Sequence, residues 1–468
     1  MRTLTLVILA ALGLAACDDF LDINDDPNAA LEPPIDGLLA STTLATAENT
    51  QAVSASFAAF FSQYLASPNE GTATDTYLEA DYSGTWRDLY GAMTDAFDLR
   101  ELAAERGATH HVGVAKVVTA MNLALVVDNW GAAPYDEAFD GEIIVPAYDS
   151  PEELYEVIFT LLDEAADDLL AEEPTAELDA DSDFIHAGDL AAWRRTIEAL
   201  RARQLLHLSE TERYDPAAVL AAVDSAYASN DDDAQVTRFL VRNPWASVAL
   251  NNQNLLLGGW LSEQFVDALN GVTYGTFDPR LPRLTDTTVF GDYRGTVNGA
   301  GRVGDGTQPE ESYLELGGAL SSEDSPLIIL SYAELKFVEA EAALDAGLGE
   351  RAGEAFFEGV RASMAKLGVD PADAEAYLAE AYPEIVDGSA AVELDDVFRE
   401  KYAALFLSPE TWVDARRYDY AYEGFELPEN AALDAFIRRV AYPASEISRN
   451  AGNVPAVEGL AEPLFWDR

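Results

Sequence analysis

A single cysteine, Cys17, limits how this chain can be held together. One cysteine cannot form an intramolecular disulfide, so a fold of 468 residues must be stabilised by packing and polar contacts alone. The chain is 49% hydrophobic and 10% aromatic, which is enough for one large core or for two domains. We therefore expect a compact body whose stability does not depend on covalent cross-links.

The position of Cys17 predicts an exported lipoprotein. It follows an apolar run, Thr5 to Ala16, that begins after the basic Arg2. That run is too short to span a membrane, which takes roughly 20 residues, and is typical of a secretory signal. Small residues followed by a cysteine are the pattern that a bacterial lipoprotein signal peptidase recognises. We predict a signal peptide at 1–16, lipidation of Cys17 and a tether at 17–34; a chance cysteine in an ordinary signal peptide is the alternative.

The charge of the chain excludes one class of partner. It has 84 acidic and 28 basic residues and a net charge of −56. Such a surface repels nucleic acid and anionic lipid, so we expect no nucleic-acid partner and membrane contact only through the lipid anchor. An acidic surface with few lysines also suggests a protein that works in strong brine. The alternative is an exported protein that is acidic for other reasons.

Apolar residues at helical spacing predict a mainly α fold. Between 35 and 228, and again from 331 to 407, the predicted helices follow one another as antiparallel pairs, which suggests a tetratricopeptide-like scaffold. Between them, 230–326 is rich in Gly, Asn, Asp and Thr and predicts a large irregular insertion, the kind of region that holds binding sites. The tail is predicted as loop with one helix near 430–438. We expect one domain over 35–468.

Motifs for catalysis, metals and cofactors are missing from the sequence. The four histidines lack ligand spacing for zinc, and no P-loop or G-x-S-x-G motif occurs. With only Cys17 present, thiol catalysis is excluded. The acidic stretch 179–183 opens like a calcium loop, but Phe184 and Leu190 occupy positions that a glycine and a glutamate should fill. We expect no enzyme activity, no metal and no cofactor.

Aromatic and amide side chains in or beside the irregular stretches are the candidate ligand contacts. Aromatic rings stack on sugar rings, and amides bond to pairs of hydroxyl groups. The alternative for each of them is a packing role in the core. The candidate residues are Tyr77, Tyr82, Trp86, Asn252, Trp260, Tyr274 and Tyr293.

Several motifs, spread in order over nearly the whole chain, together resemble one family. They are CDDFLDIN at 17–24, DNWGAAPYDEA at 128–138, Gly188-Asp189 with Trp193, Leu200 and Arg203, DPRL at 278–281, ILSYAELKFVEAEA at 329–342, EKY at 400–402, WVDARR at 412–417 and RVAYP at 439–443. The chain resembles the SusD/RagB family of outer-membrane nutrient-binding lipoproteins. It departs from the family pattern at 408–411, where a glycine-containing turn is more common.

The resemblance implies a helical fold with tetratricopeptide-like helix pairs. It further implies a lipid-anchored protein exposed at the surface of the outer membrane, where Asp18 and Asp19 after the lipid cysteine look like the export signal. The implied partner is a SusC-like TonB-dependent β-barrel, on which the protein acts as a lid that captures oligosaccharides. Alternatives are a peptide-binding lid, a surface scaffold without ligand and, least favoured, a glycan hydrolase. The Trp412, Arg416 and Arg417 cluster is interpreted as structural.

Overall fold

The computed structural model describes residues 33–253, 259–304 and 308–467. In these ranges the fold is mainly α-helical, with four short strands in two antiparallel pairs. The predicted fold class is thereby confirmed. Cys17, the signal peptide and most of the tether lie outside the described residues. The proposed single domain at 35–468 stays a prediction.

The first half of the chain forms a bundle of consecutive helices. They are α1 Ile35–Val53, α2 Ala59–Phe61, α3 Ser83–Arg106, α4 Thr109–Trp130, α5 Pro151–Asp168, α6 Leu190–His207 and α7 Pro216–Val223. A π-helical turn, Ser54–Ala58, joins α1 to α2. The helix predicted to begin at Ile35 ends at Phe61 because Gln63 has a left-handed backbone, with φ of 53°, and strand β1, Leu65–Ala66, follows.

Helices α3 and α4 form a tight antiparallel hairpin. Their two-residue connection contains Gly107, whose φ of 70° closes the end of α3 through hydrogen bonds to the carbonyls of Ala103 and Ala104. Helix α4 packs against α1, α3 and α5. It is long and apolar enough to cross a membrane, yet 89% of its most apolar window is buried inside the protein. We therefore assign α4 as the central helix of the core.

Two helix starts are capped by side chains that accept hydrogen bonds from the first turn. The Ser150 hydroxyl accepts a hydrogen bond from the Glu153 backbone, and the Glu153 carboxylate accepts one from the Ser150 backbone. At α6 the Asp189 carboxylate accepts from the backbone N–H groups of Ala191 and Ala192. These caps fix where α5 and α6 begin.

The irregular insertion is joined to the scaffold at both of its ends. It contains β2 Ala234–Val236, α8 Pro244–Gln253, β3 Trp260–Leu261, α9 Glu263–Asn270 and α10 Leu281–Leu284. Strand β2 pairs with β4, Leu327–Leu330, and thus brings the two ends of the insertion together. Strand β3 pairs with β1, with Leu65 opposite Leu261. The insertion is thus anchored to the rest of the fold through β2 and β3.

Helices resume after the insertion. They are α11 Tyr332–Asp345, α12 Gly349–Lys366, α13 Pro371–Ala381, α14 Pro383–Val386, α15 Leu394–Ala404, α16 Glu410–Arg417 and α17 Ala444–Arg449. Helices α11 and α12 pack as a second hairpin. They approach closely at Gly359, where an added Cβ would lie 3.0 Å from the Phe337 ring. A side chain at position 359 would require the Phe337 ring to shift by a few tenths of an ångström.

The helix predicted near 430–438 is wrong. Asn430 has a left-handed φ of 60°, which interrupts a helix. The backbone N–H of Arg438 donates to the Leu460 carbonyl and that of Val440 to the Asn129 carbonyl. Bonds to distant segments replace the local bonds of a helix, and the segment passes the end of α4 without regular secondary structure.

The structural interpretation of the Trp412 cluster is confirmed. The Arg416 guanidinium lies 3.8 Å from the Trp412 ring centroid and 4.7 Å from that of Trp466. Arg417 donates through both terminal nitrogens to the two carboxylate oxygens of Glu341. All of these side chains are buried, so they hold α16 against the core.

Candidate functional site

A cleft of about 420 Å³ opens in the irregular insertion, within the size range of ordinary ligand sites. Helix α9 forms one wall, and residues of 290–303 and 310–311 form the other. The residues that line it are Glu263, Asp267, Asn270, Val272, Phe290, Tyr293, Arg294, Gly295, Val297, Val303, Glu310 and Glu311.

Backbone hydrogen bonds between distant segments hold the floor of the cleft. Leu261 donates to the carbonyl of Ser312 and accepts from the N–H of Thr296. Ser262 donates to the carbonyl of Tyr64, beside β1. Each loop of the cleft therefore starts from an anchored position, which suits a site whose shape is set before a ligand arrives.

Asn298 connects this floor to the loop that follows β1. Its side-chain amide donates to the Leu65 carbonyl at 2.9 Å and to Asp75 Oδ1 at 2.6 Å, and it accepts from the Ser262 hydroxyl at 2.5 Å. Asp75 Oδ2 also accepts from the backbone of Gly299. Burial raises the pKa of Asp75, while these donors act in the opposite direction by stabilising the carboxylate.

The rim of the cleft exposes apolar side chains to solvent. Phe290 is 58% exposed, and Val272 and Val303 are each 70% exposed. Tyr293 is half-buried in the wall, with its ring 6.0 Å from that of Phe277. Apolar side chains that cluster around one cavity and face solvent are typical of interaction sites, so this cluster indicates a binding surface.

Three carboxyl groups of the cleft have raised pKa values. Glu311 is 4% exposed, accepts a hydrogen bond from the Val303 backbone, and has its pKa raised to about 7 by burial. Burial also raises the pKa of Glu263 and of Asp267. In each case loss of water around the charged form is the largest cause.

Arg294 contributes the positive charge of the lining. Its terminal nitrogen lies 2.7 Å from Asp292 Oδ2, and its guanidinium lies 4.6 Å from the Phe290 ring centroid. The guanidinium therefore orients the aromatic ring while Asp292 neutralises its charge. The arrangement provides aromatic faces for stacking and carboxylate oxygens that accept hydrogen bonds from hydroxyl groups.

Three predicted site residues on the N-terminal side, Tyr77, Tyr82 and Trp86, lie in the core. The Tyr77 ring packs 5.7 Å from Phe61, and the Trp86 ring packs 5.3 Å from Trp130. All three are at most 9% exposed, so none of them presents a ring face to a ligand in this structure. Their positions in or beside a loop suggest exposed side chains, but tertiary packing covers that loop and buries them.

Asn252 and Trp260 are also buried. The Asn252 amide donates to the carbonyls of Gly259 and Leu314, both at 3.3 Å. The Trp260 ring packs 5.5 Å from that of Tyr313. Both side chains hold the insertion together and leave no free face for a ligand.

Tyr274 and Tyr293 are the two predicted residues that remain partly exposed. Tyr274 stacks under Arg399, whose guanidinium lies 4.0 Å from the ring centroid, and it does not line the cleft. Tyr293 lines the cleft itself. Of the seven predicted contacts, the structure therefore brings only Tyr293 into this site.

Sequence reasoning missed Phe290 and Glu311. The predicted aromatic ligand contacts are all tyrosines or tryptophans, whereas the exposed ring at the cleft is that of a phenylalanine. Val289 and Phe290 form an apolar pair in a glycine-rich loop, and that pair is the signal that could have identified the rim. Nothing in the sequence distinguishes Glu311 from the other acids.

The acidic stretch that opens like a calcium loop has a structural role. Asp183 accepts hydrogen bonds from the backbones of Ile185, His186 and Gly188 and from the Trp193 indole. Its carboxylate is thus fully used in closing the turn before α6. Among the residues that the structure describes, no group of three or more His, Cys, Asp or Glu side chains could hold a metal ion.

Comparison with known protein families shows which family the chain belongs to. A SusD-like family model, described as "Starch-binding associating with outer membrane", matches residues 27–443. The chain belongs to this SusD-like family. The family is one of outer-membrane-associated binding proteins, as the motifs predict. No curated protein matches the chain.

Solved structures of SusD-like proteins have the same fold. A SusD/RagB family protein from Bacteroides thetaiotaomicron is 21% identical, with a TM-score of 0.75 and coverage of 93% of this chain and 99% of that one. A chitin-binding SusD homologue from Flavobacterium johnsoniae is 21% identical, with a TM-score of 0.77 and coverage of 93% and 98%. A SusD homologue from Parabacteroides distasonis is 19% identical, with a TM-score of 0.76 and the same coverage of both chains. At these identities the likeness establishes the fold alone.

Proposed function

We propose that this SusD-like protein captures oligosaccharides in the cleft beside α9. The observation that carries the proposal is the exposed rim of Phe290, with Tyr293 in the wall and carboxylates below, in a chain whose family is described as starch-binding. Aromatic faces stack on the apolar faces of sugar rings, and carboxylates accept hydrogen bonds from sugar hydroxyls. Of the original candidate contacts, Tyr293 is the one we retain for this site.

The protein acts at the outer membrane in this proposal. Cys17 carries the lipid, and the body faces outward as the lid of a SusC-like TonB-dependent barrel. The family's association with the outer membrane supports this location. The role is capture and delivery, without chemical conversion of the ligand. Copurification of the barrel with the tagged chain from membranes tests the partnership, and its repeated absence would count against it.

Calorimetric titration of the full-length chain with a panel of neutral oligosaccharides and short peptides tests the ligand class. We expect binding to one glycan class and a roughly tenfold weaker affinity for Phe290→Ala or Tyr293→Ala, because each loses one stacking face. Phe357→Ala, which removes a partly exposed ring on α12, is the matched control and should keep the affinity. Binding of peptides alone would replace glycans by peptides as the cargo.

A further inference from the structure

The cleft beside α9 has an unbalanced charge. Four carboxyl groups line it, and they face one guanidinium. That guanidinium, from Arg294, is already paired with Asp292 and stacked on Phe290. A ligand that enters the cleft therefore meets negative charge that the lining does not neutralise. The four carboxyl groups are those of Glu263, Asp267, Glu310 and Glu311.

The surroundings of these groups add to the imbalance. Glu263 interacts unfavourably with Asp267, and also with Glu426 and Glu429 from the loop after α16. The Asp267 carboxylate accepts a hydrogen bond from the Asn270 amide, which is neutral. No Lys or Arg of the described residues lies within ion-pair distance of Glu263 or Asp267 in this structure.

Glu311 shows why this charge matters at the site itself. It lines the cleft although it is only 4% exposed, so little water reaches its carboxyl group. A buried carboxylate without a cation is costly, and a cation supplied from outside removes that cost. The aromatic rim and the cavity are independent of this charge and indicate a ligand with apolar ring faces.

We propose that the cleft selects glycans that carry protonated amino groups, the amino-sugar oligomers, over neutral N-acetylated and over anionic glycans. This inference rests on the proposed function and adds the charge of the ligand to it. The sugar ring stacks on Phe290 and Tyr293, and its ammonium group lies among the carboxylates of Asp267 and Glu311. Carboxylates of anionic glycans are repelled from the same positions.

Attraction to the whole acidic surface must be separated from selection by the cleft. A net charge of −56 attracts any polycation at low salt. The Asp267→Asn/Glu311→Gln double variant removes two charges from the cleft. The Glu354→Gln/Glu380→Gln double variant removes two charges from exposed positions on α12 and α13 and is the matched control. Salt near 0.3 M screens the distant charges in both.

The test compares a glucosamine tetramer with an N-acetylglucosamine tetramer and a galacturonate tetramer, by calorimetry on the full-length chain near pH 6. We expect the amino sugar to bind roughly tenfold more tightly than the N-acetyl sugar, and the anionic sugar not to bind. The cleft variant should lose this preference and the control variant should keep it. Titration in two buffers of different ionisation enthalpy should also show proton release on binding, since the ammonium group favours ionised Glu311.

The outcomes separate the two proposals. Equal binding of the amino and N-acetyl sugars, or a preference that the cleft variant retains, overturns the charge selection and leaves glycan capture standing. Binding of no glycan at all, with folded protein shown by its thermal transition, overturns the proposed function and this inference together. Binding of a lysine-rich peptide in place of every glycan, lost in the cleft variant, would assign the cleft to basic peptides instead.

Discussion

The His207 Nε2 atom lies 2.5 Å from Glu410 Oε1 in the core, where α6 meets the start of α16. On the other side of the ring, Nδ1 lies 3.3 Å from Asp128 Oδ2. An imidazole that faces a carboxylate at each nitrogen is held as the cation, because only the protonated ring donates from both. Burial alone would lower the pKa of His207, but the charges of Glu410 and Asp128 outweigh it and raise the pKa to about 9.

This pair predicts that stability falls as the solution becomes alkaline. The ordinary pKa of His207 is 6.5 and the folded value is about 9, so its contribution is complete below pH 6.5 and is lost as the pH rises through 9. The pKa of Glu410 is depressed, and its contribution remains throughout this range. Urea unfolding between about pH 6 and pH 9.5 should show the free energy of unfolding decreasing.

A substitution of His207 tests whether the decrease in unfolding free energy comes from the pair of His207 and Glu410. His207→Gln should unfold with a free energy lower by about 3 kcal/mol near pH 6, because Glu410 loses its buried cation, and should have a shallower pH dependence. His110→Gln is the control, since His110 contacts the backbone carbonyl of Ala171 and has a different environment. If His207→Gln kept the wild-type slope while His110→Gln lost it, the assignment would be wrong.

Asp75 should be necessary for the stability of the segments that form the floor of the cleft. Its carboxylate accepts hydrogen bonds from the backbones of Ser67 and Gly299 and from the Asn298 amide. Asp75→Ala leaves three buried donors without an acceptor, so we expect the free energy of unfolding to drop by about 3 kcal/mol or more in urea titration. Asp81→Ala removes an exposed acid from the same loop and should cost under about 1 kcal/mol. Equal losses in the two variants would contradict this role.

Local patterns were sufficient to predict most helices. The spacing of apolar residues predicts helices over 35–228, where α3 and α4 lie. Ser150 and Asp189 are residue types that favour helix starts, and this signal is local because capping is decided within four residues. The helix expected near 430–438 failed for the opposite reason. Its backbone bonds to residues far away in sequence, and Asn430 takes a left-handed conformation that its neighbours do not require.

The site could be predicted only in outline. Composition located it in the irregular insertion, but the exposure of each aromatic side chain there depends on tertiary contacts. Trp260 is covered by Tyr313, whereas Phe290 reaches solvent. The same limit applies to the pair of His207 and Glu410, which lie 203 positions apart and have no shared local signal. The departure from the family pattern at 408–411 contains the acid of that pair.

Gly295 should be irreplaceable in the wall of the cleft. A Cβ atom at this position would lie 2.3 Å from the Cα and backbone nitrogen of Glu263, at the start of α9. Gly295→Ala must therefore displace the backbone, and we expect a loss of about 2–4 kcal/mol in unfolding free energy, together with weaker ligand binding. Gly84→Ala, an open position in the first turn of α3, is the control and should be neutral or slightly stabilising. If the Gly295→Ala protein were as stable as the Gly84→Ala protein, the backbone around Glu263 would accommodate a side chain at position 295 and the prediction would be wrong.

The acidic surface should make stability depend on salt. All four lysines, Lys116, Lys336, Lys366 and Lys401, are paired with carboxylates, so they leave the surplus of exposed acids uncompensated. Added salt shortens the range of repulsion from about 10 Å at 0.1 M to about 3 Å at 1 M. We expect the thermal midpoint to rise steeply over this interval of sodium chloride.

A parallel measurement in sucrose distinguishes screening of charge repulsion by salt from stabilisation by a solute that is excluded from the protein surface. It stabilises proteins because it is excluded from their surface, and it carries no charge. If repulsion limits stability, sodium chloride should raise the midpoint far more than sucrose of equal osmolality, and most of the rise should occur before 1 M, where screening is nearly complete. A midpoint unchanged by salt, or raised equally by sucrose, would mean that the net charge of −56 does not limit this fold and that adaptation to brine does not explain it.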